Sequence, residues 1–315
     1  MSKILSIVIP AYKESQNISM IYNSILNIIK KIDNIDYEFI FVNDGSPDNT
    51  WLAIKALWLQ DAKVKWVNLS RNFGKEVAIS AGIEYASGDA VLTIDADGQH
   101  PVSKIPDFVN KRKEWYDIVY NKRPTIEWAS LFKKISSHWF YWIFNKISHF
   151  ELESQTTDYR LLDRKVVNIF KKFGEKNRIY RWLIDWIGFD KFALEFDALP
   201  NPAWREARYN YNKLRNLAIN TITSFSVRPL KFVWYFGLII TIISGFIVLV
   251  ISRNIFFGNR LWFTNLWLVV AINTLLWGIM MISIWLIAVY IAQIHEEIKD
   301  RPLFIAKDFI NIDNI

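Results

Sequence analysis

From residue 5 to about residue 120, short apolar and β-branched runs alternate with stretches whose apolar residues recur at helical spacing. The runs at 6–9, 38–42, 65–69, 90–94 and 117–120 predict buried strands, with helices starting at Ile18, Thr50, Lys75 and Ile105 between them. This alternation predicts an α/β fold, a mostly parallel Rossmann-like sheet covered by helices on both faces. In such sheets ligands bind beyond the carboxyl ends of the strands. The residues there are Pro10-Ala11-Tyr12-Lys13-Glu14, Asn43-Asp44-Gly45-Ser46, Ser70-Arg71-Asn72-Phe73-Gly74-Lys75 and Asp95-Ala96-Asp97. All are polar, charged or Gly-containing, so a single site is expected.

The pattern then changes. Between 126 and 150, Trp128, Leu131, Phe132, Ile135, Trp139, Trp142, Ile143, Ile147 and Phe150 fall near a 3.6-residue period, with Lys133, Lys134 and Lys146 elsewhere. This reads either as a core helix or as a helix in a membrane interface, and Trp together with Lys favours the interface. A second amphipathic stretch at 213–227 places Leu214, Leu217, Ala218, Ile222 and Phe225 on one face. Two runs without Asp, Glu, Lys or Arg follow, at 232–252 and 261–294, against the ~20 residues needed to cross a bilayer. Lys213, Arg215, Arg228 and Lys231 precede the first and Lys299, Arg301 and Lys307 follow the second, against Arg253 and Arg260 between them. The positive-inside rule places both ends in the cytoplasm. The expected organisation is a catalytic domain at 1–212, a juxtamembrane helix at 213–230, two transmembrane helices at 231–295 and a cytoplasmic tail at 296–315. Neither run carries an ionisable residue along its length, so a solute pathway is not expected.

Composition sharpens this. Hydrophobic residues are 52% and include 15 Trp, which suits a surface meeting lipid headgroups. A net charge of +7 and a pI near 9.3 fit an anionic partner. Nucleic acid is a poor choice, because the basic residues concentrate near the membrane segments and no recognition motif appears. Without cysteine there is no disulfide, thiolate nucleophile or Cys-ligated zinc. The N-terminal apolar run is too short for a signal peptide and reads as a first strand.

Candidate chemistry centres on Asp95-Ala96-Asp97, two carboxylates one residue apart at a strand end. Such oxygens suit Mg²⁺ or Mn²⁺ with positions left for phosphate oxygens, so a metal-bridged diphosphate is the natural occupant. His100, His138, His149 and His295 are assigned to no metal. Asn43-Asp44-Gly45-Ser46 alone would be an ordinary turn; the order and spacing of the four strand-end segments together carry the weight.

With Ser6-Ile7-Val8-Ile9-Pro10-Ala11-Tyr12, Phe41-Val42-Asn43-Asp44-Gly45-Ser46, Leu69-Ser70-Arg71-Asn72-Phe73-Gly74-Lys75-Glu76, Asp95-Ala96-Asp97, Asp158-Tyr159-Arg160-Leu161-Leu162-Asp163, Ser224-Phe225-Ser226-Val227-Arg228-Pro229-Leu230 and Glu296-Glu297-Ile298-Lys299-Asp300-Arg301-Pro302-Leu303, the chain resembles the family 2 glycosyltransferases. Within them it resembles polyprenyl-phosphate glycosyltransferases, the bactoprenol glucosyltransferase branch above all. The resemblance implies a GT-A fold and inverting transfer of a hexose, glucose favoured over N-acetylglucosamine or an amino sugar, from a UDP-sugar to undecaprenyl phosphate. It implies Pro10, Ala11, Tyr12, Glu14 and Asp44 around the nucleoside, Asp95 near ribose and phosphate, Asp97 on the divalent ion and Asp158 facing the donor sugar. Lys75 is expected at the diphosphate. Relatives carry a lysine where this chain has Arg208, so Arg208 and Arg205 are expected at the acceptor phosphate. Asp158 has a structural alternative as a helix-capping residue. The resemblance further implies an inner-membrane, multi-pass homo-oligomer, tetrameric in form, working with a flippase and a downstream transferase. A processive polysaccharide synthase would carry Gln-x-x-Arg-Trp, where this chain has Arg178-Ile179-Tyr180-Arg181-Trp182. Against a non-catalytic nucleotide-binding scaffold stand the intact acidic positions.

Overall fold

The computed structural model describes residues 3–123, 156–176, 178–196 and 266–310, with isolated positions between 233 and 253. The amphipathic stretches at 126–150 and 213–227, and with them Arg205 and Arg208, lie outside the described residues, as does most of the run 232–252.

The predicted strands all form: β1 (Lys3–Ala11), β2 (Ile35–Asn43), β3 (Val64–Leu69), β4 (Ala90–Thr93) and β5 (Ile118–Lys122). Helices α1 (Ile18–Ile29), α2 (Thr50–Trp58), α3 (Lys75–Glu84) and α4 (Ile105–Lys113) begin where the apolar pattern places them. The sequence pattern did not announce β6 (Thr156–Asp163), α5 (Arg164–Phe170), α6 (Tyr180–Ile187), β7 (Lys191–Glu195) or β8 (Ala306–Ile310). Asp158 therefore lies within a strand, and the helix-capping alternative is set aside.

The eight strands form one sheet in the order β7-β5-β6-β4-β1-β2-β3-β8. β4, β1, β2 and β3 run parallel, and β7 is parallel to β5. β6 is antiparallel to both β4 and β5, and β8 closes the other edge antiparallel to β3. The parallel strands are apolar throughout their middles: Ile7, Val8, Ile9, Phe39, Ile40, Phe41 and Val42 are all fully buried, as two-sided coverage requires.

Helix α3 shows why composition at a contact matters. Ala78, Ile79, Ser80, Ala81, Gly82 and Ile83 are all buried in it. At Gly82 an added Cβ would lie 2.3 Å from Val8 Cγ1 on β1, so only glycine lets the helix sit this close to the sheet. This brings Lys75, the first residue of α3, to the carboxyl ends of the strands.

Two compact units are distinguishable. The first, Met1–Tyr141, Phe150–Ala207 and Arg301–Ile315, holds the sheet; the second, Trp142–His149 and Arg208–Asp300, holds α7 (Leu266–Ile298). The segment expected as a tail, 296–315, thus supplies β8, and Ile305 O accepts the Ser70 N–H at 2.9 Å. Among the described residues, no helix is long and apolar enough to cross a membrane. The transmembrane helices are therefore no part of the described fold.

Gly82→Ala should push α3 off β1 against a stiff, β-branched Val8. We expect a loss of about 1–3 kcal/mol, as for overpacked cores, read as a fall of several degrees in the thermal unfolding midpoint.

Candidate functional site

The loops after β1, β2, β3 and β4 enclose a cleft of about 390 Å³. Pro10, Ala11, Tyr12, Glu14, Asp44, Lys75, Asp95 and Asp97 line it, so the geometry brings these sequence-predicted residues together. Asn72, Gly74, Ala78 and Ala96 complete the lining; of these, Asn72 and Gly74 carried a signal in the polar segment after β3.

Backbone ties make the rim one piece. Asp44 is buried, and its two carboxylate oxygens accept the N–H groups of Phe73 at 2.7 Å and Gly74 at 3.0 Å. It thus fixes the loop leading into α3, a role the sequence did not show. Burial raises the Asp44 carboxyl above its ordinary range, opposed by those two N–H bonds and the Arg71 charge. Gly45, at φ +60, lets the same loop approach: a Cβ there would be 2.3 Å from the Arg71 carbonyl carbon. Asn43 donates to Asn68 at 2.8 Å, Ser46 Oγ accepts the Lys13 N–H at 3.1 Å, and Thr50 Oγ1 accepts the Glu14 N–H at 2.9 Å.

The charged centre lies at the ends of β4 and β6. The register Leu92↔Leu161, Thr93↔Arg160 runs on toward Asp95 and Asp158, two acids beyond the last paired residues. Lys75 Nζ joins them, 2.7 Å from Asp95 Oδ1 and 2.6 Å from Asp158 Oδ2. Arg181 Nε, on α6, pairs with Asp158 Oδ1 at 3.2 Å. Burial alone would raise both acids, but Lys75 with His100 lowers Asp95, and Lys75 with Arg181 lowers Asp158. Burial would likewise lower the Lys75 ammonium, and the two carboxylates outweigh it and hold Lys75 charged.

His100 is 3% exposed, packs at a tilt against Tyr159 with ring centroids 5.0 Å apart and places Nε2 3.3 Å from Asp95 Oδ2. Asp97 Oδ1 accepts the Gln99 N–H at 3.0 Å, while the residue faces the cleft. Among the described residues no group of three His, Cys, Asp or Glu side chains could hold a metal ion. Two carboxylates at a cleft still fit a small divalent cation that takes its other oxygens from a bound diphosphate and water, the usual arrangement for Mg²⁺.

Asp44→Ala should free the Phe73 and Gly74 amides. Their hydrogen exchange is expected to quicken by roughly tenfold or more, because two charge-assisted bonds are lost, while strand amides in β1 stay protected.

Residues 6–172 match the family model "Glycosyl transferase family 2". An uncharacterized glycosyltransferase of Synechocystis sp. is 37% identical over 98% of this chain and 96% of its own length. The SfII prophage-derived bactoprenol glucosyl transferase of Shigella flexneri is 34% identical over 96% of this chain and 97% of its own. Among solved structures, S. aureus TarS 1–349 in complex with UDP-GlcNAc superposes at TM-score 0.47 and 15% identity, over 70% of this chain and 66% of that one. With the family model matched over residues 6–172 and full-length relatives above 30% identity, the chain belongs to glycosyl transferase family 2 and is a glycosyltransferase.

Proposed function

We propose that the chain transfers a hexose, with glucose favoured, from a UDP-sugar to a polyprenyl phosphate of the undecaprenyl type, releasing UDP at the cytoplasmic face of a membrane. The observation that carries the reading is the strand-end cleft in which Asp95 and Asp97 meet the Asp44-anchored loop and Lys75. The end-to-end similarity to proteins named bactoprenol glucosyl transferase supports the acceptor and the sugar.

In this reading the acceptor phosphate, already anionic at neutral pH, attacks the anomeric carbon without needing a strong base. Its oxygen forms the new bond as the bond from that carbon to the diphosphate breaks, with inversion at the carbon. Pro10, Ala11 and Tyr12 would receive the nucleoside at the mouth of the cleft, and Asp97 with Asp95 would hold Mg²⁺ or Mn²⁺. When bound, that ion neutralises charge gathering on the departing diphosphate. Lys75, fixed by two carboxylates, adds a preorganised cation on the same side. Asp158, kept ionised between Lys75 and Arg181, is a poor proton acceptor and is better suited to orienting the donor sugar. Arg205 and Arg208 remain the proposed acceptor-phosphate residues on sequence grounds.

Membrane attachment is part of the proposal. Helix α7 has 33 residues, without Asp, Glu, Lys or Arg before Glu296. That is about 50 Å of helix at 1.5 Å per residue. Its described side chains, such as Trp277, Met281, Ile282, Ile284, Trp285 and Ile291, are exposed and apolar. The chain leaves the sheet-bearing unit after Ala207 and returns at Arg301 to pair β8 with β3. Any crossings between must therefore be even in number, which agrees with the two charge-free runs of the sequence, 232–252 and 261–294.

Purified protein with Mg²⁺ should transfer label from one member of a UDP-sugar panel to undecaprenyl phosphate. EDTA should abolish transfer, and Asp97→Asn should lower kcat by roughly a hundredfold or more. Product NMR should show a β-linkage from an α-linked donor; an α-linked product, or no lipid product from any donor, would reject the reaction. Because the chain has no native cysteine, topology is readable by single-cysteine labelling. An impermeant maleimide should label Gly258→Cys but not Asn314→Cys in intact cells; equal labelling would reject two crossings.

A further inference from the structure

Glu76 is the acidic residue beside the site that the proposed chemistry leaves unused. It is the second residue of α3 and does not line the cleft. Charged and titratable groups face it from each element around it: Lys75 on α3, Asp158 from β6, and Arg181 and Tyr180 from α6. Asp95 and His100 stand beyond Lys75. Glu76 Oε2 accepts the backbone N–H of Tyr180 at 2.8 Å. Tyr180 opens α6, whose own N-cap residue makes no side-chain bond, so Glu76 satisfies an end N–H that the helix leaves open. The next residue, Arg181, pairs with Asp158 and also donates from Nη1 to Thr156 O at 2.9 Å. Tyr180 is itself buried, its hydroxyl 3.2 Å from Thr93 Oγ1, which donates to the Asp158 carbonyl.

We propose that Glu76 is a positioning residue, tying the first residue of α6 to the first turn of α3 so that Arg181 is held on Asp158 beside the donor site. A capping role for α3 alone, which an acidic first-turn residue can fill through the helix dipole, leaves the bond to Tyr180 without a purpose. The proposal rests on the transfer reading above, and its pH consequence follows from the charges in place. Burial, then the Asp158 charge, push the Glu76 carboxyl up to about 7, against the Tyr180 N–H, Arg181 and Lys75. With Glu76 protonated, Lys75 and Arg181 balance Asp95 and Asp158; ionised, it adds a negative charge behind the diphosphate position. A UDP-sugar diphosphate is esterified at both ends and does not titrate in this range, so a change in donor affinity there belongs to the protein.

The test uses the full chain in lipid nanodiscs from about pH 5.5 to about pH 8.5, comparing wild type with Glu76→Gln and Glu76→Ala. Wild-type donor KM is expected to rise about threefold or more as pH passes through 7, and Glu76→Gln, which keeps an oxygen for Tyr180, to flatten that rise. Glu76→Ala is expected to lower kcat by about tenfold or more with donor KM at low pH within about twofold, the pattern of lost transition-state positioning. Thermal unfolding supplies a readout without turnover. A carboxyl raised in the folded state favours folding below its ordinary range, and that contribution is lost as pH rises through about 7. The unfolding midpoint of Glu76→Gln should therefore gain on wild type as pH rises. A donor KM profile unaltered in Glu76→Gln, or wild-type kcat in Glu76→Ala, overturns the proposal; should Glu76→Ala not fold, the Gln profile decides. If wild type itself transfers no sugar, the reaction reading fails, and the pH-dependent stability difference still decides whether the buried carboxyl acts as described.

Discussion

The placement of the Lys75 ammonium between Asp95 and Asp158 is the interaction on which the site depends. Antiparallel pairing of β6 with β4 carries two carboxylates toward the same place, an arrangement that like-charge repulsion and burial both oppose. One cation reaching both acids removes the conflict, and Arg181 completes the compensation at Asp158. The position of Lys75 is in turn set by α3 lying tight against β1, which the missing side chain at Gly82 allows. A packing contact in the core thus fixes the electrostatics of the cleft.

The rim follows the same logic of groups satisfied across elements. Asp44 spends both carboxylate oxygens on the loop after β3, and Asn43 reaches Asn68 on that strand. The loops after β1 and β2 are joined through Ser46 and Thr50. Loops fixed in this way present their polar groups to the cleft in a preorganised arrangement. At the sheet edge, β8 brings the chain beyond α7 back to β3, close in sequence to the loop that Asp44 anchors.

Particular residues show where sequence reading works and where it stops. Strands β1 to β5 were legible because two-sided burial demands continuous apolar runs, and the helix starts because apolar spacing changes there. Strand β6 was not, since Thr156-Thr157-Asp158-Tyr159-Arg160 has no apolar run or clean alternation. Arg160 nevertheless has no solvent exposure, because Thr156, the Thr157 carbonyl and Asp185 satisfy its guanidinium. A charged core residue reads as a surface one until its distant partners are in view. Strand β8, with Lys307 and Asp308 at its centre, reads as tail for a similar reason: an edge strand can be polar, and its stabilising partner lies far back in the chain.

By itself the sequence determined the α/β class, the strand ends that line the cleft, the Asp95-x-Asp97 pair and the family motifs. These are local properties, written in apolar period, turn residues and short spacings. Only the tertiary structure decided that Asp44 anchors a loop, that Lys75 is shared by Asp95 and Asp158, and that Glu76 and Arg181 stand behind them. Those assignments depend on pairs separated by tens of residues, and burial decides their charge states. No short-range pattern encodes which cation a given carboxylate will meet once the sheet has closed around both.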